Sequence, residues 1–136
     1  MNGLVWSGVD ELQAELRALG DALARDGSAI VQAAGNGAFA TIHGGYPRRT
    51  GDLKQGLTVT HTRTAYGAKA LLVNTSPHAI PFEVGTQARH SKLGANRGSM
   101  PPNHLFTRTM NSARRAMNTQ HTALLERAGL TVTGDE

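Results

Sequence analysis

Residues 46–56, YPRRTGDLKQG, mark the point at which the periodicity of the chain changes. After this junction, Leu57, Val59 and His61 alternate with threonines, as in a half-exposed strand. Before it, apolar residues recur at steps of three and four, the spacing of one helix face; they are Val9, Leu12, Leu16, Leu19 and Leu23. The junction therefore separates a helical N-terminal part from a β part.

The N-terminal part predicts a long helix over about residues 8–34. The apolar pattern continues to about residue 43, but GNG at 35–37 weakens it, so the segment is either one helix or two. Ser7 and Asp10 have the form of a capping box at its start. The heptad-like spacing also fits a coiled coil, but so short a repeat is more typical of a helix packed on a sheet.

The part that follows the junction predicts a β-hairpin and then an irregular stretch. Residues 57–75 contain two strand-like runs with Gly67 at the turn. HAIPFEVGT, at 78–86, is too rich in proline for an inner strand. Residues 86–103 have no period, and an extended loop of this length usually means function, disorder or ordering by a partner. Because the loop has no evident means of packing alone, we expect it to become ordered on assembly.

The C-terminal part predicts a second long helix, with Pro102 in its first turn and Gly129 at its end. LTVT at 130–133 predicts a short edge strand. One face of the helix is apolar (Phe106, Met110, Ala113, Met117, Leu124 and Ala128) and another is polar and basic (His104, Arg108, Asn111, Arg115, Asn118 and Thr122). The predicted fold is a single α+β domain over residues 1–136: a long N-terminal helix, a small antiparallel sheet made of the hairpin and the C-terminal strand, a long irregular loop, and the second helix.

Composition limits the core and the available chemistry. A domain of 136 residues buries only about two-thirds of its unfolded surface. Aromatic residues make up only 4% of the chain, so we expect neighbouring subunits to help stabilise it. The lack of cysteine excludes disulfides, thiolate nucleophiles and thiolate metal sites. None of the six histidines has metal-site spacing, so no metal and no other cofactor is expected.

No catalytic residue is predicted. Glu83 has neither a second acid nor a positioned nucleophile near it in the sequence, as general acid–base chemistry would require. We interpret it as one partner of an ion pair with an arginine of its own or a neighbouring chain. The protein is therefore not expected to be an enzyme.

The positive charge of the chain is concentrated in its middle. Residues 48–115 carry eleven basic residues against Asp52 and Glu83, a net charge of +9, whereas the whole chain has +4. Such asymmetry indicates either a surface that meets a polyanion or an acidic partner, or an ordinary solvated basic surface. No run approaches the roughly 18 apolar residues of a membrane span, and the N-terminus has no signal-like pattern, so we expect a soluble, unprocessed chain without membrane contact.

Four motifs resemble, in order and spacing, the neck or tail-completion proteins of long-tailed double-stranded-DNA phages, a family of minor tail components that take part in head–tail joining. They are WSGVDELQAELRAL (6–19), TGDLK (50–54), HAIPFEVGT (78–86) and MPPNHLFTRTM (100–110), and the resemblance covers roughly residues 4–128. The chain departs from the family pattern at four positions, with Lys54 for Arg, His78 for Tyr, Val84 for Phe and Thr109 for Pro.

The resemblance implies a virion structural protein of the head–tail connector, made in the host cytoplasm and located at the neck. It implies a homo-oligomeric ring of six subunits that joins the DNA-filled head to the tail and surrounds the DNA channel. Its partners would be the adjacent head-closure or adaptor protein and the tail-terminator or tail-tube protein, with nonspecific contact to genomic DNA. The alternative is a free, sequence-nonspecific nucleic-acid-binding module, which the basic middle would suit.

The resemblance also assigns roles to residues. A tight turn leading into the sheet would comprise Thr50, Gly51, Asp52 and Leu53, with Asp52 bonded to local backbone N–H groups and Leu53 in the core. The subunit or partner interface would comprise Glu83, Gly85, Thr86, Arg89, Lys92, Arg97, Phe106 and Arg108. The DNA channel would be lined by Arg48, Arg49, Arg89, Lys92 and Arg97. A further hypothesis is that Gly85→Val blocks assembly but leaves the monomer folded.

Overall fold

A computed structural model describes residues 8–49, 51–64 and 67–133 of the chain. The elements in chain order are α1 (Val9–Gly45), α2 (Asp52–Gly56), β1 (Leu57–Thr64), β2 (Gly67–Asn74), α3 (Ala79–Val84) and α4 (Leu105–Arg127). Two long helices pack with one antiparallel hairpin, which confirms the predicted α+β class.

The N-terminal part is one continuous helix, not two. Glycine at 35 and 37 does not break α1, because Gly35 is the point where the helix approaches the sheet. A Cβ atom on Gly35 would lie 2.7 Å from the Ala70 Cβ of β2 and 3.0 Å from His61 Cε1 of β1. Asn36 Oδ1 and His61 Nε2 hydrogen-bond at 2.9 Å beside this contact. The glycine therefore permits close helix–sheet packing, and the sheet in turn supports the helix.

Helices α1 and α4 pack antiparallel to each other. The start of α4 meets the end of α1, where a Cβ atom on Gly45 would lie 2.7 Å from Leu105 Cδ2. Near the other end, His121 Nε2 lies 3.3 Å from the Gly27 carbonyl oxygen. The predicted apolar face of α4 is half-buried against α1 and the core, whereas Arg108, Asn111, Arg115 and Asn118 of the polar face are exposed.

The hairpin pairs β1 with β2 from Leu57↔Asn74 to Thr64↔Gly67. The predicted strand at 130–133 is wrong, because within the described ranges the sheet contains only β1 and β2. The backbone closes on itself after α4: Leu130 N–H donates to the Leu125 carbonyl at 3.0 Å, and Gly129 has a φ of 83°. This Schellman-type turn ends the helix, and the four residues beyond it pair with no sheet edge.

The core lies where α1 ends and the hairpin begins. Six apolar side chains are buried there: Ala38, Ile42, Tyr46, Leu53, Leu57 and Leu72. Phe82, Leu105 and Phe106 cover this cluster from α3 and α4. The junction at residues 46–56 thus supplies two core residues, Tyr46 and Leu53, and the core residue Leu57 follows it directly.

The first part of α1 has no core to cover. Every residue from 9 to 21 is exposed, and the apolar stripe within it includes Leu12 and Leu16 at 55% and 59% exposure. We call residues 9–20 the overhang. The prediction that this helix packs on a sheet is thus confirmed for the C-terminal half of α1 only. Ser7 of the predicted capping box lies outside the described residues, and α1 follows Gly8 without a side-chain cap.

Candidate interaction site at the junctions and the arm

Three polar segments that contain glycine or proline meet at the core, and we call them the junctions: YPRRTGDLKQG (46–56), HAIPFEVGT (78–86) and SMPPNHLF (99–106). Asn74, at the end of β2, donates from Nδ2 to Tyr46 Oη at 3.1 Å and to the Leu53 carbonyl at 3.0 Å. Its Oδ1 accepts the backbone N–H of Ser76 at 2.9 Å. The Tyr46 ring meets the Phe82 ring edge to face, with centroids 5.5 Å apart. Burial raises the pKa of Tyr46, and the charge of Glu83 adds to this effect although the hydrogen bond from Asn74 opposes it.

The predicted turn at residues 50–53 is the start of a short helix. Thr50 lies outside the described residues, Gly51 takes a left-handed φ of 79°, and Leu53 is buried in the core. The expectation for Asp52 is wrong: no hydrogen bond joins its carboxylate to a described backbone N–H. Asp52 is instead the first residue of α2, where an acidic side chain suits the helix dipole, and its Oδ2 lies 3.9 Å from His78 Nε2.

Glu83 caps the start of α4. Its two carboxylate oxygens accept the backbone N–H groups of Phe106 at 3.0 Å and Thr107 at 2.8 Å. Burial alone would raise the pKa of Glu83, but the hydrogen bonds from Thr107 and Phe106, aided by the charge of His104, lower it below its ordinary value.

No arginine of the described residues lies within ion-pair distance of Glu83, so the predicted ion pair is wrong for its own chain, and the alternative with an arginine of a neighbouring chain stays a prediction. Free helix N–H groups satisfy the carboxylate without a cation. The carboxylate thereby ties α3 to α4, which are separated by the whole irregular stretch of the sequence.

Gly85 ends α3 with a φ of 80° and lies against residues 100–102 of its own chain. A Cβ atom at this position would lie 2.7 Å from the Met100 carbonyl oxygen and 2.9 Å from Pro102 N. A side chain at this position would collide with backbone of the same chain, so Gly85→Val is expected to destabilise the monomer itself, and its effect on assembly stays a prediction. Thr86 continues this contact: its N–H donates to the Met100 carbonyl and its Oγ1 accepts Met100 N–H, both at 2.9 Å.

The stretch without sequence period forms a hairpin-like arm over residues 86–100. Its two sides are joined by hydrogen bonds from Arg89 N–H to the Gly98 carbonyl (3.1 Å) and from Ser91 N–H to the Ala95 carbonyl (2.8 Å), with an isolated bridge between residues 90 and 96. The backbone groups of the stretch thus close it into a hairpin without packed side chains, so it is not structureless, and its ordering on assembly stays a prediction. At the tip, Leu93 is 97% exposed.

The basic residues predicted for the DNA channel lie on two separate segments. Arg89, Lys92 and Arg97 are exposed on the arm, whereas Arg48 and Arg49 are exposed on the connection between α1 and α2.

Five of the predicted interface residues make contacts within their own chain: Glu83, Gly85, Thr86, Phe106 and Arg108. Phe106 packs against the core, and the Arg108 guanidinium donates to the carbonyls of Asn103 at 3.0 Å and His104 at 3.4 Å. Glu83 and Gly85 likewise organise the base of the arm. The arm itself presents its side chains outward.

An open groove of about 670 Å³ lies between α1 and α4. Small residues such as Gly37, Ala113 and Ala116 line most of it, and Arg108 is its one charged residue. Within the described part of the chain, no group of three histidine or carboxylate side chains is placed to hold a metal ion. Among the same residues, no helix combines the length and the apolar character that a membrane span requires.

The predictions from sequence did not include two residues of this site: Asn74, which organises it, and Leu93, which is exposed at the tip of the arm. Asn74 has no motif around it, and its role depends on the strand register that brings it to Tyr46 and Leu53. Leu93 had a visible signal, since it is the one large apolar residue among the polar and small residues at 87–99.

No protein-family model, curated protein or solved structure matches this chain. The roles of the junctions and of the arm are therefore inferred from their geometry and from the order of the sequence motifs.

Proposed function

We propose that the protein is a structural component of the neck of a long-tailed phage, where copies close into a ring between the head and the tail. The observation that carries the proposal is the amount of surface that a single copy leaves uncovered. The chain exposes 10,616 Å², whereas a compact monomer of its mass exposes about 6,800 Å². An extended chain with a small core leaves apolar surface that contacts with other subunits can cover.

The arrangement of the resembling motifs supports the same proposal. TGDLK places Leu53 in the core, HAIPFEVGT supplies Glu83 and Gly85, and MPPNHLFTRTM supplies the backbone that both of them contact. Motifs that are distant in sequence thus make one structural unit, as expected of motifs that define a fold.

The basic residues of the arm suit either a neck that DNA passes through or a contact with an acidic surface of an adjacent subunit. No acidic residue occurs from position 84 to 125, so Arg89, Lys92 and Arg97 have no acidic neighbour in sequence. Lysine and arginine attract phosphates regardless of sequence, and a passing genome requires attraction without base recognition. The proposed role is structural. The proposal includes a ring of six copies, whose neighbours are head-closure and tail-terminator or tail-tube proteins.

The proposal is tested on the purified protein and on particles. Light scattering coupled to size-exclusion chromatography should give a closed oligomer, six copies being the expected number. A phage that carries this gene with an epitope tag should be labelled at the neck in electron micrographs, and a phage without the gene should yield separate heads and tails. Particles that join normally without the gene product would contradict the proposal.

A free nucleic-acid-binding module is the second candidate, favoured by the unopposed positive charge of the arm. It predicts that a monomer binds duplex DNA, with an affinity that falls by about 0.9 logarithmic units per phosphate contact for each tenfold rise in salt. Fluorescence anisotropy with labelled DNA, for the parent and for Arg89→Gln/Lys92→Gln/Arg97→Gln, separates the two candidates. The ring proposal instead expects strong DNA binding only in the fractions that contain oligomer.

A further inference from the structure

We infer that the arm of one copy docks on the overhang of a second copy, in a head-to-tail contact. This inference rests on the proposed function, because it takes the partner to be another copy of the chain. Both surfaces project from the body of the protein and both expose apolar side chains: Leu93 at the tip of the arm, and Leu12 and Leu16 on the overhang.

The charges of the two surfaces are complementary. The arm carries Arg89, Lys92 and Arg97 and no acidic residue, a net charge of +3. The overhang carries Asp10, Glu11 and Glu15 against Arg17, a net charge of −2. Opposite charge beside an exposed apolar contact selects the partner and fixes its orientation, while burial of the leucines supplies the affinity.

The two surfaces cannot meet within one chain. The arm begins beside the C-terminal end of α1, where α4 starts, and the overhang is the N-terminal end of the same helix. From residue 20 to residue 45 the helix extends about 37 Å at 1.5 Å per residue. The eight residues from 86 to 93 span at most about 28 Å when fully extended. A head-to-tail contact between two copies satisfies both surfaces, and its repetition closes a ring when the rotation between copies permits.

The inferred contact has a specific arrangement. Leu93 of one copy packs between Leu12 and Leu16 of the next, which lie one turn apart on the overhang. Glu11 and Glu15 lie together along one side of that stripe, where they meet the basic residues of the arm.

Cysteine cross-linking tests the arrangement, since the chain has no cysteine of its own. Under mild oxidation, an equimolar mixture of Leu93→Cys and Leu16→Cys should form a disulfide-linked heterodimer, and the double variant should form a ladder of oligomers. The matched control is Ala14→Cys, which lies on the opposite face of α1 and should not cross-link to Leu93→Cys. An intramolecular disulfide in the double variant, or equal cross-linking at positions 14 and 16, would overturn the inference.

Charge reversal provides an independent test by sedimentation velocity. Lys92→Glu/Arg97→Glu and Glu11→Lys/Glu15→Lys should each weaken self-association at least about tenfold, and an equimolar mixture of the two variants should restore it. Arg115→Glu, which reverses an exposed charge in the middle of α4, should leave self-association unchanged. Loss of DNA binding with self-association intact in the arm variant would overturn the inference, since the arm would then serve nucleic acid.

The outcomes distinguish this inference from the proposed function. Rings that form at the neck without cross-links between positions 93 and 16 would overturn the arm–overhang contact alone. A specific cross-link in a protein that is absent from phage particles would overturn the neck role alone.

Discussion

Glu83 stabilises the chain through two backbone hydrogen bonds to the first turn of α4. Glu83→Ala would leave those N–H groups without their cap, so we expect the free energy of unfolding to fall by about 1–2 kcal/mol. The free energy of unfolding of Glu83→Gln, which keeps one acceptor oxygen, should lie between those of the parent and Glu83→Ala. Urea denaturation followed by circular dichroism measures the difference. Glu126→Gln, an exposed position at the other end of α4, is the control and should change little.

The same carboxylate makes stability depend on pH. The pKa of Glu83 is lower in the folded chain than its ordinary value of 4.5. Its stabilising contribution is therefore present above the unfolded-state pKa and is lost as the pH falls through the folded-state pKa. We expect the stability difference between the parent and Glu83→Gln to be constant near neutral pH and to shrink in acid. A difference that stays constant down to pH 3 would contradict this assignment.

Gly85 combines a positive φ with a close backbone contact. Gly85→Ala should destabilise the chain by about 1–3 kcal/mol from backbone strain alone, with an added cost from the collision with the Met100 carbonyl. Gly94→Ala is the matched control, because Gly94 has a φ of 81° but open space around its Cβ position. Thermal unfolding of the two variants separates the effects. Equal losses would mean that the contact with residues 100–102 contributes nothing.

At the scale of elements, the packing of α1 on the sheet depends on one glycine. Gly35→Ala should separate the helix from Ala70 and lower stability by about 1–3 kcal/mol, as overpacking does. Gly37→Ala, two residues along the same helix, meets no atom within 4 Å and is exposed, so it should gain about 1 kcal/mol of helix propensity. Chemical denaturation of both variants checks the opposite signs. A stabilising Gly35→Ala would contradict the close approach.

The arm shows how an element can form without a periodic sequence. Its closure depends on single backbone bonds such as Ser91 N–H to the Ala95 carbonyl, and on Gly94 and Gly98 in positive φ. Hydrogen bonds of this kind need no apolar alternation, so residues 86–103 resemble a loop when only periodicity is considered. Its side chains remain available for another surface.

At the scale of the whole molecule, the proposed ring would add to the stability of a chain that has a small core and a large surface. Assembly that involves only the folded chain raises its apparent stability by mass action. We expect the melting temperature, measured by calorimetry, to rise with protein concentration. We also expect the rise to be smaller in 1 M salt, where the charges of the arm and the overhang are screened. A melting temperature independent of concentration would indicate a self-sufficient monomer and contradict the proposed ring.

The sequence by itself determined the α+β class, the hairpin, and the division of α4 into an apolar and a polar face. Periods of 3.6 and 2 residues encode these features locally, because each reflects which side chains share one face of an element. Only the tertiary structure decided four other features: the continuity of α1, the cap that Glu83 makes on α4, the arm, and the loss of the strand at 130–133. The first two depend on atoms brought together from distant positions, such as Gly35 with Ala70 and Glu83 with Thr107, and no local spacing reports such a contact. The arm and the end of α4 are closed by backbone hydrogen bonds, which a pattern of side chains does not encode.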